Sequence, residues 1–182
     1  MNNIVFFDLE VNKNGAVVDV GATTDGTSVF HSDKIQHFYN YIQGKKYVVA
    51  HNYFAHDGKY VKLDKDQIPI DTLVWSPLLF PKNASHKLTK DDKVLTIDPN
   101  NPHSDSKKVR DLFNRLVAAF KALPKAQKEI YYLLLRKQEE YAGFLHFNGI
   151  KVVFKNTKAL IEKEFGAYFC SNAPLNYYIK NN

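Results

Sequence analysis

One stretch limits what this chain can become more than any other: Ile4-Val5-Phe6-Phe7-Asp8-Leu9-Glu10. A continuous apolar run of this kind reads as a strand covered on both faces. Such a strand belongs inside a sheet flanked by helices. It also carries Asp8 and Glu10, and strand alternation sends both carboxylates to one side. Like charges so placed repel unless one is protonated or a cation sits between them. A hard divalent ion takes oxygen ligands of this sort. Asp-x-Glu is common on solvated surfaces, so the pair gains weight only from its buried strand and from acidic positions further on.

The following segments fit an α/β chain. Asn12-Lys13-Asn14-Gly15 is a turn, and Ala16 to Ala22 and Thr27 to His31 read as strands joined by a hairpin at Asp25-Gly26. Ser32 is placed as the cap of a helix bearing Ile35, Phe38, Tyr39 and Ile42, closed by Gly44. Tyr47 to Ala50 is a short strand, expected parallel to the first because a helix makes the crossover. A short helix is expected to carry His56, Asp57, Tyr60 and Val61, and a strand to cover Ile68 to Leu73.

Pro77, Pro81, Pro99 and Pro102 make the stretch from Ser76 to Asp105 irregular, with one short helix expected near His86-Lys87-Leu88. Val109, Leu112, Phe113, Leu116, Val117 and Phe120 form one face of a helix that starts at Ser104 or Asp105 and ends before Pro124. A second helix is expected from Lys125 to Tyr141. A hairpin around Asn148-Gly149 would pair Phe144 to Phe147 with Ile150 to Phe154, and Asn156 would cap a last helix that stops at Gly166. The whole predicts a single domain, 1–182, with a mixed sheet flanked by helices. Its core would span about 4–123, and a helical and hairpin extension about 124–182.

A net charge of +6 with 14% aromatic residues suits nucleic acid, since Lys and Arg neutralise phosphates and rings stack on bases. The single cysteine, Cys170, excludes an internal disulfide and a thiolate zinc cage. No apolar run approaches the ~20 residues that span a bilayer. The start of the chain has neither a basic region nor a cleavage signature. A cytoplasmic protein without a membrane partner is expected.

In α/β sheets ligands gather at strand ends, where three acidic positions fall: Asp8 with Glu10, then Asp57 beyond the parallel neighbour, then Asp105 at the start of the strongest helix. Taken singly, Asp57 reads as a solvated carboxylate and Asp105 as a helix cap. Together they match an order of motifs. Phe7-Asp8-Leu9-Glu10 resembles the first motif of the DEDD, or DnaQ-like, exonucleases. Asn52-x-x-x-His56-Asp57 resembles the second, with His56 where Phe is usual. Asp71-Thr72-Leu73 and His86-Lys87-Leu88 resemble segments that precede the third, and Asp105-Ser106 resembles the third itself. The resemblance covers about residues 4–120. His86-Lys87-Leu88-x-Lys90-Asp91-Asp92-Lys93, Asn100-Asn101-Pro102-x-x-Asp105-Ser106-Lys107 and Phe169-Cys170-Ser171-Asn172-Ala173-Pro174-Leu175 are similar to exonuclease domains at the N-terminus of some bacterial multi-domain DNA helicases.

The resemblance implies an RNase H-like fold and a 3′→5′ exonuclease that acts on DNA and releases nucleoside monophosphates. It implies that Asp8, Glu10, Asp57 and Asp105 hold two Mg²⁺ or Mn²⁺ ions, one activating a water and the other steadying the leaving 3′-oxygen. It implies as partners a single-stranded DNA 3′ end and a helicase region in the same parent chain. Asn52 would orient the surrounding hydrogen bonds or touch the strand, and Tyr53 and Phe54 would wedge or stack on terminal bases, although core packing suits Phe54 better. Lys107, with Lys87, Lys90, Lys93, Lys108 and Arg110, would run along the phosphates.

This chain departs from the family at the general base. Where the family has His or Tyr, five or four positions before the last Asp, stand Asn100 and Asn101, and neither takes a proton at neutral pH. His103 is the nearest imidazole and is taken as the base. His86, on a loop that could fold over the site, is the second candidate, and His51 and His56 flank the second motif. Two other readings stay open: a catalytically impaired domain that binds nucleic acid for a linked helicase, and an RNA 3′-end trimming nuclease.

Overall fold

In the computed structural model the chain is described at residues 3–88, 102–150, 152 and 156–168, and positions 102 and 103 only as backbone. The first strand is the centre of the fold. β1 (Ile4–Val11) pairs antiparallel with β2 (Val17–Thr23), which pairs with β3 (Val29–Ser32). On its other side β1 pairs in parallel with β4 (Tyr47–Ala50), and β4 with β5 (Ile68–Asp71). The result is a mixed five-stranded sheet in the order β3-β2-β1-β4-β5. The antiparallel opening and the parallel crossover through α1 (Ile35–Ile42) agree with the hydrophobic pattern.

Alternation along β1 divides the core. Val5, Phe7 and Leu9 face the side covered by α1, where Phe38 and Ile42 are buried. Ile4 and Phe6 face α2 (Thr72–Leu79), α3 (Pro102–Ala122) and α5 (Glu139–Asn148). Trp75 gathers that second side. Its ring meets Phe144 at 4.5 Å, Phe120 and Tyr141 at 5.7 Å and Tyr131 at 6.0 Å. Each fully buried side chain of this kind contributes ~1.5–3 kcal/mol.

Several elements differ from the expectation. Ser32 ends β3 rather than capping α1, although its Oγ still accepts from Lys34 N–H at 3.1 Å. The predicted helix around Asp57 is a single 3-10 turn, Asp57–Lys59. The strand from Ile68 stops at Asp71, whose side chain caps α2, so Thr72 and Leu73 are helical. His86-Lys87-Leu88 forms no helix; the helix of this region lies earlier, in α2, where Pro77 is accommodated. Helix α3 starts at Pro102, a residue suited to a first helical turn.

The single helix expected from Lys125 to Tyr141 is two, α4 (Lys125–Leu135) and α5. Gln138 is extended between them, which lets Tyr131 and Tyr141 both reach Trp75. The hairpin at Asn148-Gly149 is instead the end of α5. Gly149 is left-handed (φ 60°), and its N–H meets the carbonyls of Leu145 and His146. Positive φ serves a tight hairpin and a helix end equally, so the dipeptide alone misleads. Asn156 caps α6 (Thr157–Phe165) as expected, accepting from Ala159 N–H at 3.0 Å.

Helix α5 closes against the sheet's outer strand. A Cβ on Gly143 would collide with the Pro69 carbonyl oxygen, so only glycine fits there. Among the described residues no helix is long and apolar enough to cross a membrane.

Candidate active site

Asp8 and Glu10 lie on the same side of β1 as Ile4 and Phe6, the side that α3 covers. Both are half-buried. Across the sheet Asp8 stands opposite Gly21 and Glu10 opposite Asp19. Asp19 therefore adds a carboxylate to this face. It is held by His31, whose Nε2 lies 2.7 Å from its nearer oxygen. No motif pointed to it.

Helix α3 brings Asp105 to the same face. Asp105, Val109 and Phe113 recur at four-residue steps and so share one side of the helix. Phe113 packs on Phe6 at 5.4 Å between ring centroids. Arg110, Phe113 and Asn114 line a cavity together with Asn3 and Ile4, at the start of β1. Asp105 is half-buried and pairs with Lys108 Nζ at 3.1 Å.

Asp57 follows β4. Its residue is 1% exposed, and neither carboxylate oxygen has a hydrogen-bond partner. His56 Nδ1 approaches one oxygen at 3.5 Å. Burial pushes the carboxyl up to about 8, the charge of Asp8 adds to this, and those of Asp71 and Glu10 add further; its own main-chain N–H opposes them. Asp8, Glu10 and Asp57 are therefore within electrostatic reach of one another.

Asp71 has the opposite surroundings. Also 1% exposed, it accepts from Leu73 N–H (2.8 Å) and Asn52 N–H (2.9 Å) on Oδ1, and from Phe54 N–H (3.2 Å) on Oδ2. One side chain thus caps α2 and holds the loop leading to Asp57. Asn52 takes the left-handed conformation (φ 71°), which asparagine tolerates better than most residues. Its carbonyl accepts from His56 N–H at 2.9 Å. Asp71 stands in the motif order, and its capping of α2 is not visible in a segment whose pattern reads as strand to Leu73. Gly58 was missed too. A Cβ there would lie 3.1 Å from the Tyr53 carbonyl oxygen and 3.2 Å from its ring.

Helix α2 also gathers two histidines. Thr72 Oγ1 meets His51 Nδ1 at 2.9 Å, and Ser76 Oγ meets His86 Nδ1 at 2.8 Å. Burial pulls His51 down, against the nearby charge of Asp71. Tyr53 is 7% exposed in the core, its ring against Phe7 and Phe54, and its hydroxyl is pushed up to about 12, chiefly by burial. That ring is a packing element in this arrangement, and half-buried Phe54 is the more exposed of the two. Lys107 is half-buried on α3, and Lys87 is exposed. His103 lies in the first turn of α3, and its side chain is outside the described residues, as are Lys90, Lys93, Asn100 and Asn101.

Among the described residues no three His, Cys, Asp or Glu side chains form a ready-made cage for a metal ion. The donor set nevertheless suits a hard cation. A buried carboxylate with both oxygens unpartnered, beside two more carboxylates, is costly as it stands. A divalent ion would supply the missing counter-charge. No protein-family model matches this chain, and no match was found among the curated proteins or among the solved structures.

Proposed function

We propose that the chain is an RNase H-like, metal-dependent 3′→5′ exonuclease of the DnaQ type, acting on single-stranded DNA ends. The observation that carries this reading is Asp57: buried, without a hydrogen-bond partner on either oxygen, and under the charges of Asp8 and Glu10 where the parallel strands end. Asp8, Glu10, Asp57 and Asp105 would hold two Mg²⁺ or Mn²⁺ ions, which supply a water nucleophile at neutral pH and stabilise the leaving oxygen. The Asn52 main chain fixes the loop of Asp57, while Lys107 and His86 are the groups assigned to the substrate strand. His103 is assigned as general base, a role worth roughly 10²–10⁴-fold. A helicase region in the same parent chain would deliver the strand.

The test is 5′-labelled single-stranded DNA with Mg²⁺ or Mn²⁺, wild type beside Asp8→Ala. A ladder shortening from the 3′ end, lost in the variant, is the expected result. Binding without degradation with either metal points instead to the impaired, strand-holding domain, the reading that Asn100 and Asn101 favour. Degradation of RNA but not DNA would reassign the substrate.

A further inference from the structure

We propose that Asp71 is a positioning residue for the metal-binding carboxylate Asp57, acting through the main chain of Asn52 and Phe54. This inference rests on the nuclease reading for its catalytic meaning, but its geometry stands alone. The two oxygens of Asp71 divide the work. Oδ1 takes the N–H groups of both Asn52 and Leu73, so it joins the loop to the first turn of α2. Oδ2 takes only Phe54 N–H. The loop then returns on itself, with Asn52 carbonyl to His56 N–H at 2.9 Å and Tyr53 carbonyl to Gly58 N–H at 2.8 Å. These two bonds fix the residues on either side of Asp57. A helix cap needs only one oxygen and one N–H. The remaining bonds of Asp71 all go to the loop, and they hold it where an unpartnered carboxylate would otherwise move away from its like-charged neighbours.

The division of labour defines the variant. Asp71→Asn keeps an acceptor at Oδ1, hence the cap and the Asn52 bond, and replaces Oδ2 by an NH₂ group that cannot accept from Phe54. Amide exchange is read first. In Asp71→Asn the Phe54 amide should exchange at least about tenfold faster, while Leu73 keeps its protection. Unchanged Phe54 exchange would overturn the inference whatever the protein does. Mn²⁺ titration and 3′-end degradation by the full chain are read next. Losing a residue that orients a metal ligand typically costs about 10–100-fold in affinity or rate, and that loss is expected with the thermal midpoint close to wild type. Equal Mn²⁺ affinity and rate in both proteins would mean that Asp71 is a cap only. Wild type that neither binds Mn²⁺ nor degrades DNA would remove the nuclease reading and the catalytic role of Asp71 together. Asp71→Glu guards against a purely electrostatic explanation: it restores the charge but displaces the oxygens, and it should not recover the rate.

Discussion

Asp57 and Asp71 are equally buried, at 1% exposure, and lie near enough for the charge of one to act on the other. Asp71 receives three N–H groups; Asp57 has no hydrogen-bond partner on either oxygen, only His56 Nδ1 at 3.5 Å from one of them. Burial alone therefore says little about purpose. A buried carboxylate whose acceptor capacity is filled by the main chain is a structural part. One left unfilled beside two other carboxylates is costly, and under the proposed function a divalent cation would be its partner.

The contrast can be broken most directly by activity. Asp57→Asn and Asp8→Ala should each lower 3′-end degradation at least as much as the about 10²–10³-fold lost with a single transition-state donor. Asp71→Ala tests the other side. Three main-chain donors lose their acceptor, and we expect ~3 kcal/mol of destabilisation, or about 6–12 °C in the thermal midpoint of a chain this size. If Asp71→Ala melted like wild type while Asp57→Ala unfolded, the assignment of roles would be reversed.

A smaller effect carries the opposite sign. The folded state holds the Asp57 proton up to about 8, above the ordinary 3.8. Stability from this group is complete below about 4 and is lost as pH rises toward and through 8. Without divalent ions, Asp57→Asn should therefore be more stable than wild type at pH 9, by on the order of 2 kcal/mol once relaxation around the charge is allowed for. The advantage should shrink as pH falls toward 4, and Mn²⁺ should raise the wild-type midpoint only. Denaturant melts across pH would show it. Smallest is Gly58→Ala, where the new Cβ crowds the Tyr53 carbonyl and ring. We expect about 1 kcal/mol or slightly more, with a weakened response to Mn²⁺ in the same melts.

What was legible in the sequence follows from what each residue's behaviour depends on. The position of β1, its antiparallel and parallel neighbours and the shared side of Asp8 and Glu10 depend on alternation, which is local. The spacing of Asp57 from Asn52 fits a motif order, but its burial depends on contacts distant in the chain; taken locally it reads as a solvated helix carboxylate. At Asp71 a strand end and a helix cap look alike in sequence until the next residues choose a conformation. Asn148-Gly149 was misread because one backbone conformation serves two structures. The break between α4 and α5 depends on Trp75, more than fifty residues away, which both tyrosines must reach. Asp19 carries no motif and enters the site only through its register with Glu10.

The meeting of Gly143 with Pro69 bears on how molecules of this protein behave in a crowd. Ile68 gives its N–H inward, to the Lys46 carbonyl at 2.7 Å, so the main-chain groups of Pro69, the next residue, point away from the sheet. That outer margin would ordinarily invite a strand from another molecule. Here the proline has no N–H to offer, and its carbonyl lies under the backbone of α5. Asp71 ends the strand and caps α2, so the chain is helical from Thr72. At Pro69 this margin offers no donor and keeps its acceptor covered, and that rung is closed to a second copy by the absence of one methyl group.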